Sequence, residues 1–172
     1  ELGMPTMQFT SQLDIRNQEP GPTGNEDIEF LISANPGQPA RPLAKVASGG
    51  ELSRISLAIQ VIVANTSEIP TLVFDEVDVG IGGGVAEVVG VLLRKLAAKG
   101  QILCVTHLPQ VAAQGHQHLH VSKAIEGKAT QTRVVLLDGA AKVSEIARML
   151  GGLEITDQSI AHAREMFESA QN

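Results

Sequence analysis

The sequence predicts an α/β fold in which a mostly parallel sheet is flanked by helices and preceded by a β-hairpin. Two short apolar runs, TLVFD (71–75) and QILCVT (101–106), are typical of strands that are buried on both faces. The segment between them, GGGVAEVVGVLLRKLAAKG (82–100), has the spacing of an amphipathic helix and ends at a glycine. A strand, a helix and a strand in this order form a βαβ unit, whose two strands are parallel.

The N-terminal part of the chain contains the hairpin. Segments 7–15 and 27–34 have the residue pattern of strands, and the turn-rich connection 17–27 lies between them. We therefore expect the two strands to pair. A loop rich in proline and glycine follows at 35–42, and the apolar stripe over 49–65 predicts a helix.

The C-terminal part combines two further strands with helices. LPQVAAQG (108–115) predicts a short helix with its proline in the first turn. HQHLHVSK (116–123) and QTRVVLLD (131–138) resemble strands, and two helices end the chain, the second beginning at Asp157. Their inward faces are expected to consist of Val143, Ile146, Ala147 and Leu150 in the first helix and Ile160, Ala163 and Phe167 in the second.

The length of 172 residues predicts a single domain over 1–172. Within it we distinguish a hairpin and loop (1–45), a central core that carries the candidate functional motifs (46–138) and the C-terminal helices (139–172).

The composition excludes some functions. Thirteen basic and 19 acidic residues give a net charge of −6, which argues against a strong DNA-binding surface on this chain. Four phenylalanines, with no Trp or Tyr, are too few for a single-strand binder of the stacking type. No apolar run approaches the ~20 residues of a membrane span. The single cysteine, Cys104, is expected to be a buried, inert thiol, which fits a cytoplasmic protein.

Carboxylates follow the first apolar strand. Asp75 and Glu76 end TLVFDE, and Asp78 comes just beyond them. The carboxyl end of a parallel strand is where α/β folds bind ligands. One carboxylate there can hold Mg²⁺, and the next can orient or deprotonate a water molecule. A solvated loop that happens to begin with acids is the alternative.

His107 occupies the matching position after the next strand, in VTHLPQ (105–110). A lone histidine after a strand is usually structural. Its place at the same sheet edge as Asp75 favours a shared site.

The segment ASGGELSR (47–54) predicts a helix N-terminus. Ser48 and Glu51 have the spacing of a capping box, in which each side chain satisfies a backbone N–H near the other. Gly49 and Gly50 allow an anion to approach the free N–H groups closely. In isolation, a capped helix is the favoured explanation of the motif.

Two other patterns are not favoured as sites. GIGGG (80–84) lacks the spacing of a dinucleotide fingerprint, and the phosphate-binding pattern G-x-x-x-x-G-K-[ST] does not occur in the chain. His116, His118 and His120 alternate as on one strand face, but no cysteine or acidic residue nearby in the sequence completes a metal site.

Taken in order, these motifs resemble the ATPase head of the ABC/SMC class. SGGE (48–51) resembles its signature motif, TLVFDE (71–76) its Walker B motif, VDVG (77–80) its D-loop, and His107 its switch histidine. Four motifs in this order are far more specific than any one of them.

The details resemble the DNA-repair and chromosome-organising branch of the class, because transporters usually read SGGQ and carry proline where Val77 stands. The resemblance covers nearly the whole chain and is weakest over 1–27 and 124–142. Its longest matching segments are 35–62, 74–83, 105–118 and 147–152.

The resemblance implies the C-terminal lobe of an ABC/SMC-type P-loop ATPase head. In that class the Walker A loop lies in an N-terminal lobe, beyond a long coiled coil, and we expect neither in these 172 residues. The implied function couples ATP-dependent dimerisation of two heads to DNA double-strand break repair and recombination. The fragment alone is expected to be inactive. An ABC-type ATPase of another class and a non-catalytic, partner-docking module remain alternatives.

The resemblance also assigns roles to the motif residues. Within one head, Asp75 holds Mg²⁺, Glu76 activates the attacking water, and His107 contacts the γ-phosphate of ATP. The signature motif and the D-loop contact the ATP that a second, identical head holds. These residues are Ser48, Gly49, Gly50 and Asp78.

Overall fold

A computed structural model describes residues 2–16, 19–33, 35–45, 49–66, 69–75, 78, 80–126, 129–151 and 154–171. Contacts divide the chain into two compact units, 1–58 and 59–172. Helix α1 (Gly49–Thr66) spans the division. The single domain over 1–172, with segment boundaries after 45 and 138, stays a prediction.

The first unit contains the predicted hairpin. Strands β1 (Gln8–Ile15) and β2 (Glu26–Ser33) pair antiparallel along their whole length. A third, two-residue strand, β3 (Arg41–Pro42), pairs with β2, and a short 3-10 helix, Leu43–Lys45, follows it. The hairpin is thus confirmed, with strand bounds within one residue of those predicted.

After the C-terminal part of α1, the second unit contains the predicted βαβ arrangement. Strand β4 (Thr71–Phe74) is followed by helix α2 (Gly83–Leu96) and strand β5 (Gln101–Cys104). The two strands are parallel and in register over four residue pairs. Gly83, at the start of α2, has a φ of 53°, a left-handed conformation that favours glycine.

A helix, a hairpin and two helices complete the second unit. Helix α3 (Pro109–Gln114) is followed by strands β6 (Leu119–Glu126) and β7 (Ala129–Leu136), which pair antiparallel. Helices α4 (Gly139–Gly151) and α5 (Asp157–Ser169) end the chain, and α5 begins at the predicted residue.

The sheet structure is mixed, which corrects the expectation of a mostly parallel sheet. The described strands form three small sheets, and β4–β5 is the one parallel pair among them. Strand direction follows the connection. A helical crossover returns the chain in the same direction, whereas the short connections of β1–β2 and β6–β7 reverse it.

The prediction that β4 is buried on both faces is also wrong. Phe74 on the inner face is 3% exposed, but Val73 on the outer face is 66% exposed. Its register partner on β5, Leu103, is 43% exposed. We call the solvent-facing side chains Val73, Leu103 and Val105 the outer apolar face.

Helices α3, α4 and α5 share a core of small residues and one large one. Ala113, Ala147 and Ala163 pack around Ile146, which is fully buried. Partly buried apolar residues pack against this core: Val143, Leu150, Ile160, Met166 and Phe167. The predicted inward faces of the last two helices are therefore confirmed.

Candidate functional site

The predicted site residues follow the carboxyl ends of two adjacent parallel strands. Asp75 comes directly after β4, and His107 lies three residues beyond the end of β5. The Val105 N–H donates to the Phe74 carbonyl oxygen at 2.9 Å, so strand pairing continues to the edge of the sheet. Both segments thus begin at one edge, where α/β folds bind ligands.

The carboxylate of Asp78 connects these two segments. Its Oδ2 atom accepts hydrogen bonds from the Thr106 hydroxyl at 2.5 Å and from the His107 backbone N–H at 2.8 Å. The Nδ1 atom of the His107 ring lies 3.2 Å from the same oxygen. Asp78 is 2% exposed, whereas the side chain of His107 is 71% exposed. The buried carboxylate of Asp78 therefore holds the solvent-exposed ring of His107.

Negative charge concentrates at this sheet edge. Burial by itself would raise the pKa of Asp78, but hydrogen bonds from Thr106 and the His107 backbone bring it below its usual value. Asp78 is therefore ionised at neutral pH. Burial, followed by the charges of Asp78 and Asp75, raises the pKa of the Cys104 thiol to about 11. This thiol stays protonated, as the prediction of an inert cysteine requires.

Helix α3, which follows His107, is held at its C-terminal end by two cations from neighbouring helices. Arg94 of α2 donates to the Gln114 carbonyl at 2.6 Å. Lys142 of α4 donates to the carbonyls of Gly115 at 2.6 Å and His116 at 3.2 Å. Cations are favourable where a helix leaves its last carbonyls unpaired. Burial, together with the charge of Arg94, lowers the pKa of Lys142.

Comparisons with known proteins find sequences similar to this chain along nearly its whole length. The chain is 51% identical over 170 residues to the DNA repair protein RecN of Vibrio cholerae. It is 54% identical over 172 residues to that of Xylella fastidiosa, and both alignments cover 99% of this chain. The chain is thus similar to RecN proteins over nearly its whole length. It spans 31% of the length of these two relatives. No protein-family model matches it.

Solved structures show the same fold. An Smc head domain with a coiled coil from Pyrococcus yayanosii superposes with a TM-score of 0.62 over 83% of this chain and 26% of that one, at 20% identity. A chain from work on ATP-driven dimerisation and DNA-stimulated activation of SMC ATPases gives a TM-score of 0.56, with 81% of each chain covered and 19% identity. The chain thus has the fold of an SMC head.

Several predicted site residues are placed by the structure, and others are not. Asp75 is exposed at the end of β4. Gly49 and Gly50 form the start of α1. Glu76 and Ser48 lie outside the described residues, so their roles, and the capping box at Ser48, stay predictions.

Asp78 is the residue predicted to lie at the interface with a second head. In this structure its carboxylate faces its own chain, because a buried carboxylate requires donors and Thr106 and His107 supply them. The role of Asp78 towards a second head also stays a prediction.

The histidine-rich segment lies next to α4. His120 Nε2 is 3.8 Å from Glu145 Oε1, so an acidic residue is close in space although it is distant in sequence. Burial lowers the pKa of His118. Among the described residues, no group of three or more ligating side chains could hold a metal ion.

Sequence reasoning missed three residues that shape the site. The sequence contained a signal for Thr106, because its hydroxyl group stands next to His107 at the end of an apolar strand. Arg94 and Lys142 gave no comparable signal, because charged helical residues are usually exposed and their carbonyl partners are distant in sequence. None of the described helices is long and apolar enough to cross a membrane.

Proposed function

We propose that this chain is the C-terminal lobe of an ATP-hydrolysing, SMC-like head. In the intact protein, that head couples ATP-dependent association of two heads to DNA double-strand break repair and recombination. The name of the relatives, "DNA repair protein RecN", and the SMC head fold support this proposal. The cytoplasm is the proposed location.

One observation carries the proposal most directly. The contact of Asp78 with Thr106 and His107 brings the segment after β4 against the segment after β5. These are the D-loop and switch segments of the resemblance, and Asp75 begins the same edge. An ATP hydrolase needs groups for Mg²⁺, water and the γ-phosphate within one small volume.

The chemistry of the donor set fits part of a magnesium–ATP site. Asp75 is an exposed carboxylate at the end of β4, and carboxylate oxygens are ligands that suit Mg²⁺. The exposed imidazole of His107 offers a donor to phosphate oxygen. No Walker A sequence is present to hold the remaining phosphates. The chain therefore supplies one half of the site, and another part of the longer protein supplies the other half.

Within one head, three residues divide the catalytic work. Asp75 holds the Mg²⁺ that ATP brings, directly or through water. Glu76 orients the attacking water and takes its proton. His107 donates a hydrogen bond to the γ-phosphate, where negative charge must be stabilised. Bound Mg²⁺ supplies neutralisation of phosphate charge during the transfer.

The signature motif acts on the second head. Ser48, Gly49 and Gly50 present a helix N-terminus to the γ-phosphate held there, and Asp78 belongs to the same interface. Because both heads grip one γ-phosphate, its loss on hydrolysis removes a shared ligand and lets the heads separate.

The outer apolar face supports docking of the Walker A lobe. Val73 and Val105 are 66% and 59% exposed, and neighbouring exposed apolar residues mark interaction sites. DNA is contacted through the full-length protein and not strongly through this chain, which has a net charge of −6.

Reconstitution tests the division of the head. The purified 172-residue chain should hydrolyse ATP negligibly, and co-expression with the Walker A lobe of the same protein should give Mg²⁺-dependent phosphate release. A chain that hydrolyses ATP alone at the rate of an intact ATPase would contradict the proposal. Failure to recover activity with the lobe would favour a non-catalytic docking module.

Substitution of Glu76 tests the catalytic assignment in the intact protein. Glu76→Gln should preserve ATP binding and head association but abolish turnover, because the amide cannot accept a proton. Glu87→Gln, an exposed position on α2, is the matched control and should retain wild-type turnover. Wild-type turnover by Glu76→Gln would exclude it as the catalytic carboxylate.

The signature residue has its own test. Ser48→Arg should leave ATP binding by a single complete head unchanged while abolishing the turnover that depends on dimerisation. Loss of nucleotide binding by the single head would instead place Ser48 in the site of its own head.

A further inference from the structure

Thr106 is the residue between β5 and α3 that bonds in two directions. Its hydroxyl donates to Asp78 Oδ2 at 2.5 Å and accepts from the Leu108 backbone N–H at 3.0 Å. The hydroxyl therefore ties the loop both to the buried carboxylate and to the backbone that enters α3. No role for this side chain follows from the assignments given above.

One carboxylate oxygen of Asp78 is the acceptor for several groups of the 106–108 loop, and this restricts the conformation of the loop. Oδ2 of Asp78 receives the Thr106 hydroxyl, the His107 backbone N–H and the Nδ1 side of the His107 ring. Because Asp78 is 2% exposed, water cannot replace a lost donor without opening the loop. Leaving a buried carboxylate short of donors is costly, so the three contacts favour one loop conformation.

This conformation determines which side of the imidazole meets a ligand. With Nδ1 of His107 directed at Asp78, Nε2 is the ring nitrogen left to face a phosphate, and in the imidazolium form both nitrogens carry a proton to donate. The ring itself is 71% exposed and has few packing contacts to orient it. Its direction depends on the backbone of 106–108 and on Asp78, both of which the Thr106 hydroxyl contacts.

We infer that Thr106 is a positioning residue, whose hydroxyl holds Asp78 and the 106–108 backbone so that His107 presents Nε2 to the γ-phosphate. The inference rests on the proposed ATPase function. Thr106 acts through Asp78 and His107 and does not touch the substrate. Its loss affects the chemical step more than the binding of ATP, which the Walker A lobe provides.

The test uses the intact protein that carries this chain together with its Walker A lobe. Thr106→Val keeps the shape and removes the hydroxyl, and it should lower kcat about 10-fold with a KM for ATP within about 2-fold of wild type. Thr106→Ser restores the hydroxyl and should recover most of kcat. Thr71→Val is the matched control, because it removes a hydroxyl that bonds Gln101 at the opposite end of β4, and it should leave both parameters unchanged.

A double-mutant cycle separates positioning from general damage. If Thr106 acts through Asp78, Thr106→Val combined with Asp78→Asn should be about as slow as the slower single variant. Independent, multiplying losses would overturn the inference. If Thr106→Val does not fold, Thr106→Ala takes its place in both measurements.

The remaining outcomes distinguish the two levels of the proposal. An intact wild-type protein without ATPase activity would contradict the proposed function itself. An active wild type with unchanged kcat in the variant that lacks the hydroxyl would overturn the role of Thr106 alone. A loss that falls on KM, or that Thr106→Ser does not rescue, would also overturn it.

Discussion

Gly90 provides a sharp test of the packing between α2 and α3. A Cβ atom built on this residue would lie 2.7 Å from Cγ of Gln114 and 3.0 Å from the carbonyl oxygen of Gln110. Both neighbours belong to α3. Gly84, on the same helix, has no atom within 4 Å of the corresponding position. Replacing each glycine with alanine therefore compares a crowded site with an open one.

The two substitutions should change stability in opposite directions. Alanine is favoured over glycine by about 1 kcal/mol inside a helix, and by less near its start. At Gly84 this gain should appear with no steric cost. At Gly90 the backbone oxygen cannot move away freely, and overpacking of this kind costs about 1–3 kcal/mol. The gain of about 1 kcal/mol at Gly90 offsets part of this cost, so Gly90→Ala should be less stable than the wild type by up to about 2 kcal/mol and less stable than Gly84→Ala.

Urea unfolding followed by circular dichroism measures this difference. Equal slopes of the unfolding free energy against urea would show that both variants unfold from comparably compact states. A Gly90→Ala variant as stable as Gly84→Ala, or more stable, would refute the close approach of the two helices.

Three further variants test the second unit. Ile146→Ala should lower the free energy of unfolding by about 2–5 kcal/mol, because a fully buried side chain leaves a cavity; urea unfolding measures it. Lys142→Met removes two charged hydrogen bonds and the contact of the ammonium group with the Phe167 ring, whose centroid lies 5.1 Å away. Removing a buried charge offsets part of this loss of stability. We expect a loss of about 1–3 kcal/mol in the same assay, with exposed Lys95→Met changed by less than about 0.5 kcal/mol. Burial lowers the pKa of His118 from its ordinary 6.5, so the unfolded chain binds the proton first. Stability should therefore fall as the pH decreases through 6.5, and His118→Gln should reduce that fall between about pH 7.5 and about pH 5.5.

Local patterns predicted the elements of this chain well. The βαβ unit was visible because two apolar runs are separated by a helix-length segment that ends at Gly100, and the structure makes β4 and β5 parallel. A Cβ on Gly100 would lie 3.0 Å from the Pro70 carbonyl, so glycine also allows the chain to enter β5 closely. The final helix begins at the predicted residue, Asp157, and the structure shows that Thr156 caps it, with Ser159 reciprocating in a capping box.

The rest depends on contacts between distant segments, which local patterns do not contain. The apolar run of β4 correctly predicted a strand. An apolar residue such as Val73 does not show, however, whether the residues that would cover it belong to the same segment of the protein. Asp78 follows a strand, which is a typical position for a site residue. Its hydrogen-bond donors, however, lie 28 and 29 residues away in the sequence. The motif identified Asp78, but only the folded structure shows its hydrogen-bond partners.

The outer apolar face has a consequence for the chain in concentrated solution. Val73, Leu103 and Val105 lie on a two-stranded sheet whose outward edges carry no neighbouring strand within the described part of the chain. Open edges beside exposed apolar side chains promote pairing between copies. Light scattering of the isolated chain should therefore rise steeply with concentration. Production together with a covering lobe should suppress this aggregation.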